Sequence, residues 1–354
     1  MLIKLNNIII FSLIAFFVSW IVYPLYIKLL RKYHMGKTIR EEAVTGEKSP
    51  IFSQMHEHKA GTPTMGGGIF LLIMLLMIGL SFVLQKFGFV NNTLVARQET
   101  YILLFGFFSM GLIGLIDDIL NIKGHGKVKW LSAKTKLLGM FLFAGCISRW
   151  FYSRLGIDYI NLWPLAGKVS IGIFYPIVTF FITVAIVNAI NITDGLDGLA
   201  GGLMMLVLFV LGVVTFFNQT YIATTVIGIV IASLVAFMFY NIHPAKIFMG
   251  DSGAFALWWL LASLLYILNM RTGIIIPFVV LFLLFIMDVW SSFLQIFWKK
   301  YLKKKLFIVS PLHHLFEYKW AEETTIVMKA WLIQWILAVI TIIALFYQFN
   351  GKLL

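Results

Sequence analysis

The residues of this chain that could carry chemistry are mostly aspartates: Asp117, Asp118, Asp158, Asp194, Asp197, Asp251 and Asp288, set among long apolar runs. A carboxylate at the centre of a membrane helix costs about 2.5–3.5 kcal/mol, so each such residue calls for a reason. The most specific run is NAINITDGLDGLAGG, residues 188–202. Asp194 and Asp197 are three apart and would share a face if this stretch is helical. Asn188, Asn191 and Thr193 add neutral oxygen ligands or donors, and Gly195 and Gly198 would let backbone approach a phosphate. The bland alternative, an ordinary polar turn, sits poorly with two Asp, two Asn and a Thr in so short a connection. Hard oxygen donors with few His or Cys point to Mg²⁺ or Mn²⁺ rather than zinc.

Four further segments carry candidate groups. Asp117-Asp118 closes an apolar run; neighbours on a helix point about 100° apart, so the two cannot both address one ion. One would serve a metal or cation and the other a second reactant, although alone the pair would be read as a solvated helix end. In YNIHPAKIFMGDSGA, residues 240–254, Asp251 sits between Gly250 and Gly253 where a helix is expected to start. The free N–H groups there would favour an anion, and a phosphate could share a metal held by Asp251. Asn241 and Phe248 could meet a base by hydrogen bond and stacking. HKAGTPTMGGG, residues 58–68, offers Lys59, Thr62 and Thr64, followed by glycines that permit either a phosphate or tight helix packing. SPLHHLFEYK, residues 310–319, follows the basic stretch WKKYLKKKLF, and His313 and His314 are candidate phosphate ligands or proton carriers on a loop.

The elements that must position these groups are membrane helices. Of 354 residues 61% are hydrophobic and 12% charged, with a mean hydropathy of +0.94. That leaves too little polar surface for a soluble particle. Ten apolar stretches are long enough to span, near 8–30, 68–84, 100–116, 137–152, 169–190, 199–217, 222–240, 253–268, 274–297 and 327–348. Alternating patterning is absent, so the expected fold is an all-α integral membrane protein, one polytopic domain over 1–354. Lys and Arg concentrate in the 31–66, 117–136 and 299–326 connections, which places these on the cytoplasmic side and both termini on the outer face. Every Asp except Asp158 then falls at or near that inner edge, although the orientation used only Lys and Arg. The net charge of +13 would suggest nucleic acid in a soluble protein. Here the basic residues lie in connections, where they meet lipid headgroups and phosphorylated substrates, so no nucleic-acid partner is expected. Cys146, the single cysteine, excludes an intrachain disulfide.

Taken in order, GTPTMGG, Asp117-Asp118, NITDGLDGLA, PAKIFMGDSG and SPLHHLFE resemble the signatures of the phospho-N-acetylmuramoyl-pentapeptide transferase family, over roughly residues 59–320. The resemblance implies ten transmembrane helices in the bacterial cytoplasmic membrane with a cytoplasmic site. It implies transfer of phospho-N-acetylmuramoyl-pentapeptide from its UDP-linked donor to undecaprenyl phosphate, giving lipid I and UMP. The implied partners are UDP-MurNAc-pentapeptide, undecaprenyl phosphate, membrane lipids and, as a candidate assembly, a second copy in a homodimer. By position it makes Asp251 the Mg²⁺ ligand and assigns Asp117 and Asp118 to the lipid phosphate and its deprotonation. Lys59, Thr64, Asn191, Asp194, Asp197, Asn241 and Phe248 would line the nucleotide and pyrophosphate pocket. Asp288 falls where the family commonly has an acidic residue. Two departures stand out: Leu315 takes the place of a third consecutive His, and Lys319 joins Trp320 with no Gly between them. Related UDP-N-acetylhexosamine:polyprenyl-phosphate transferases share the Asp motifs and are the alternative.

Direct attack of the lipid phosphate is the expected route, with a phospho-aspartyl intermediate as the other. A transporter would place its ionisable residues near the midplane on related half-repeats, which this chain lacks. An aromatic prenyltransferase would use paired Asp motifs but has no use for GTPTMGGG or the His-bearing segment.

Overall fold

The computed structural model describes residues 2–36, 59–123, 133–319 and 322–348. Twelve helices run through them: α1 Leu2–Lys32, α2 Gly68–Lys86, α3 Gln98–Lys123, α4 Ala133–Ser153, α5 Tyr175–Thr193, α6 Leu199–Phe217, α7 Tyr221–Asn241, α8 Gly250–Arg271, α9 Ile275–Leu281, α10 Leu283–Leu302, α11 Leu312–Lys319 and α12 Glu323–Gln348. Among the described residues eight of these (α1, α2, α3, α5, α6, α7, α8 and α12) are long and apolar enough to cross a membrane. The bent pair α9–α10 makes a ninth crossing if counted as one. The stretch expected at 137–152 does form a helix, α4, but it is less apolar than the others.

Two expectations are corrected. The single span at 274–297 is broken at Phe282, where α9 and α10 diverge by 74°. The Phe282 ring stacks between those of Phe278 and Phe285, and the Gln334 amide donates to Leu281 O at the bend, 2.8 Å. The span expected from 169 starts at Tyr175, with Pro176 in its first turn, where the missing N–H costs nothing. Before it, Tyr159–Asn161 and Lys168–Ser170 pair as an antiparallel hairpin, β1–β2, the only named sheet among the described residues.

Helix α8 is the axis of the bundle. Every residue from Ser252 to Asn269 is buried, as expected of a helix apolar on all sides. Helix α3 meets it along glycines: a Cβ on Gly106 would strike the Trp259 ring, and one on Gly114 would lie 2.2 Å from Asp251 O. Small residues at such a contact let helices approach in lipid, where burial alone gives no drive to associate. The indole N–H groups of Trp258 and Trp259 donate to Thr183 O and Ile102 O, so neither indole leaves its donor stranded. One end of α8 meets the hairpin through Asn269, whose Oδ1 accepts from Asn161 N. The other end carries Asp251, about 27 Å from Asn269 at 1.5 Å per residue. Both described chain ends, Leu2 and Gln348, belong to the hairpin end of the bundle: Lys4 lies over the Tyr221 ring, and the Gln348 amide lies beside Gly273.

Candidate active site

The end of the bundle opposite the hairpin collects the residues singled out from the sequence, in three linked groups. The first surrounds the start of α8. Residues 63–67 run beside 248–249: Phe248 N donates to Pro63 O, and Gly66 N and Gly67 N donate to Phe248 O and Met249 O, 2.8–2.9 Å. The hydroxyls of Tyr23 and Tyr26 hold the same strand through Gly66 O and Met65 O, both at 3.1 Å. A Cβ on Gly67 would fall 2.0 Å from Gly253 Cα, so the glycine run serves tight backbone packing. Gly250 has φ +74°, a conformation glycine adopts without strain. Asp117 and Asp118 are buried on α3, and Asp118 faces this corner. The run they close continues helically to Lys123, so they do not end their helix.

Asp118 takes up a role that the sequence reading missed. The N–H groups of Asp251 and Ser252 donate to its Oδ1 and Oδ2, both at 3.0 Å. The first N–H groups of α8, expected to be free for a substrate anion, are held by a side chain from another helix. Asp117 Oδ2 accepts from Asn121 Nδ2 at 2.8 Å, and Thr64, buried, has its hydroxyl beside Gly250. The donors gathered here (Asp118, Asp251 and Thr64) are all hard oxygens, the chemistry that suits Mg²⁺, and Asp117 lies one residue before Asp118 on α3. Asp251 and Asp118 are close enough to repel, a conflict a divalent cation would relieve. The residues present fit the metal.

The second group is a buried ion cluster. Lys59 Nζ contacts Asp197 Oδ1 at 2.9 Å and also Glu323 Oε1. Glu323 Oε1 accepts from Asp197 N, while Asp197 Oδ2 accepts from Ala245 N at 3.0 Å and meets His243 Nδ1 at 3.2 Å. Burial pushes the Asp197 carboxyl up, but the Lys59 ammonium, its hydrogen bond, the Ala245 N–H and His243 together hold it below the usual carboxylate value. Asp197, His243 and Glu323 lie close enough to ligate a metal, yet Lys59 already supplies the cation to both carboxylates. Asn241, buried, accepts from Gly198 N and donates to Ile247 O, tying the 194–198 turn to the strand before α8.

The 188–202 run is not one helix, which corrects the shared-face argument for Asp194 and Asp197. Helix α5 ends at Thr193 and Gly198 takes φ +78°, so Asp194 and Asp197 occupy a tight turn. Asn191 is exposed on the last turn of α5, and Asp194 and Thr62 are partly buried near the same end. Asn188 is on α5, its side chain outside the described residues. Phe248 is half-buried and keeps its backbone in the ladder.

The third group is the histidine pair. His313 and His314 are buried on the short helix α11 rather than on a surface loop. Pro311 precedes this helix, and Asp288 Oδ1 accepts from His313 N at 3.3 Å. His313 Nδ1 meets Asp288 Oδ2 and His314 Nδ1 meets Glu317 Oε2, both at 2.9 Å. Both Nε2 atoms converge on the turn: a Cβ on Gly195 would lie 2.4 Å from that of His313 and 2.9 Å from that of His314. Leu315 is buried, and Trp320 lies outside the described residues.

Sequence reasoning passed over His243 and Glu323, and did not pair Asp288 with His313. Glu323 had one available signal, an acidic residue opening a long apolar helix, which is ordinarily explained by the helix dipole.

The Glycosyl transferase family 4 model matches residues 100–269. The phospho-N-acetylmuramoyl-pentapeptide-transferase of Dictyoglomus turgidum is 36% identical over 344 residues, covering 94% of this chain and 97% of the relative. Those of Clostridium acetobutylicum and of Thermoanaerobacter sp. are each 33% identical, covering 96% and 98% of this chain and 99% and 98% of their own. On this similarity, carried along essentially the whole sequence, the chain belongs to the phospho-N-acetylmuramoyl-pentapeptide-transferase family.

Proposed function

We propose that the protein moves phospho-N-acetylmuramoyl-pentapeptide from UDP-MurNAc-pentapeptide to undecaprenyl phosphate, forming lipid I and releasing UMP, in the bacterial cytoplasmic membrane. The observation that carries this is the convergence of the five motifs at one end of a membrane bundle, in a chain of this family. The basic connections support a cytoplasmic orientation for that end, toward the nucleotide sugar.

A lipid phosphate oxygen attacks the β-phosphorus, and the bond from that phosphorus to the bridging oxygen breaks, so UMP leaves with the electron pair. Asp117 places the lipid phosphate and takes its proton. Asp118 holds the start of α8, and so fixes Asp251 as the residue that would bind Mg²⁺. Mg²⁺ would supply positive charge to the pyrophosphate oxygens, where charge accumulates. The Phe248 ring stacks on uracil, and the 194–198 turn, with Asn188, Asn191, Asp194 and Asp197, lines the pyrophosphate pocket together with Lys59, Thr62 and Thr64. Asn241 acts by fixing that turn. His313 and His314 present Nε2 to a phosphate beside Gly195.

The test is UMP release from purified protein given UDP-MurNAc-pentapeptide, undecaprenyl phosphate and Mg²⁺, beside a parallel reaction with UDP-N-acetylglucosamine. Release with the muramoyl donor supports the reading. Release with the glucosamine donor alone transfers it to the related N-acetylhexosamine enzymes, which the atypical Leu315 segment keeps in view.

A further inference from the structure

Asp288 lies on α10, buried among apolar residues, and none of the steps above uses it. A buried carboxylate in a membrane helix is retained where it has a partner. Here that partner is His313, engaged twice, through its backbone N–H and through Nδ1. The opposite ring atom, His313 Nε2, is buried without a hydrogen-bond partner and points at the Gly195 turn. The other groups around the ring are His314, 4.2 Å away and held by Glu317, and the turn carrying Asp194 and Asp197.

We infer that Asp288 is a positioning residue: it holds a proton on His313 Nδ1, orients the ring, and balances the positive charge of the ring when Nε2 also carries a proton, so that Nε2–H donates to the substrate phosphate at the 194–198 turn. The inference rests on the proposed function for its substrate, but not for its geometry. A carboxylate only accepts hydrogen bonds, so with one oxygen on the backbone N–H the other can only take the Nδ1 proton. An amide in its place would keep its oxygen on the backbone N–H and turn its NH₂ toward Nδ1, which must then accept; this confines the ring to its neutral form, and Nε2–H would donate without the positive charge that strengthens a bond to phosphate.

Asp288→Asn should therefore lower kcat by about tenfold, the scale for reducing one charge-assisted hydrogen bond to a neutral one, with little change in KM. Asp288→Glu should retain part of the turnover. Added to His313→Ala, Asp288→Asn should cost nothing further, because one acts through the other. Multiplicative losses in the double variant, or unchanged turnover in a folded Asp288→Asn, would overturn the inference. ¹⁵N-histidine NMR of the wild-type protein reads the same point without turnover, with the His313 signal assigned by its loss in His313→Ala. A proton held on Nδ1 supports the inference, and an unprotonated or mixed Nδ1 overturns it. Wild-type protein that shows the Nδ1 proton but releases no UMP would sink the proposed function and leave the ring geometry standing.

Discussion

Asp251 is where a single atom type should matter most, because its carboxylate opens α8 while Asp118, not Asp251, secures that helix start. Asp251→Asn is expected to fold normally and lose almost all turnover, since an amide cannot replace a charged metal ligand. A folded variant with full activity would remove Asp251 from the metal. Phe248 permits an equally clean change, because its ladder bonds come from the backbone and survive truncation of the ring. Phe248→Ala should weaken the nucleotide sugar far more than the lipid, by roughly 1–3 kcal/mol if base stacking in single-strand complexes is a guide. Isothermal titration with UDP would show the loss, and an unchanged affinity would make the ring packing alone. At least one of His313→Ala and His314→Ala should slow turnover about tenfold to a hundredfold in protein of matched thermal stability. The aspartates were legible as residue types because carboxylates in apolar runs need a reason. The division of labour between Asp117 and Asp118 was not, because the partners of Asp118 are backbone groups more than a hundred positions along the chain.

Helix α2 offers an internal comparison between a glycine at a contact and one away from any. Gly67, at its start, would drive a Cβ against the backbone of Gly253, whereas a Cβ on Gly79 would meet nothing within 4 Å. Gly67→Ala should lower the melting temperature and activity together by separating α2 from α8. Gly79→Ala should leave activity alone and stabilise slightly, by up to about 1 kcal/mol. Thermal melts in detergent would decide it, and equal effects would mean the contact is not tight. The ion cluster that joins α12 to the 194–198 turn carries a pH signature. The Asp197 carboxyl is held below its usual value, so its contribution to stability is complete above about pH 4, the unfolded value, and fades as pH falls through the lower folded one. The stability gap between wild type and Asp197→Asn should be full at pH 7 and narrow only in acid, whereas a gap that closes between pH 7 and 5 would contradict the assignment. Sequence reading found Lys59 and the 194–198 turn that meet here but not Glu323, because an acid just ahead of an apolar run carries no signal of a distant partner. The break at Phe282 was hidden by a continuous apolar run, and the hairpin by strands of only three residues.

Across the whole molecule, the length of the apolar runs foretold a helical membrane bundle, and the positions of the aspartates foretold a gathering of acidic groups at one end of it. The bundle supplies the reason for both: α8 is buried along its length and carries Asp251 at one end, with the hairpin and both described chain ends at the other. The arrangement suits an enzyme that takes one substrate from the lipid and the other from water. The most direct test is UMP release by the purified protein in lipid vesicles, supplied with UDP-MurNAc-pentapeptide and undecaprenyl phosphate. The account predicts one UMP for each lipid-linked muramoyl-pentapeptide formed, abolished by chelator and restored by Mg²⁺. Active, well-folded relatives assayed alongside a wild-type protein that forms no lipid-linked product under the same conditions would contradict it.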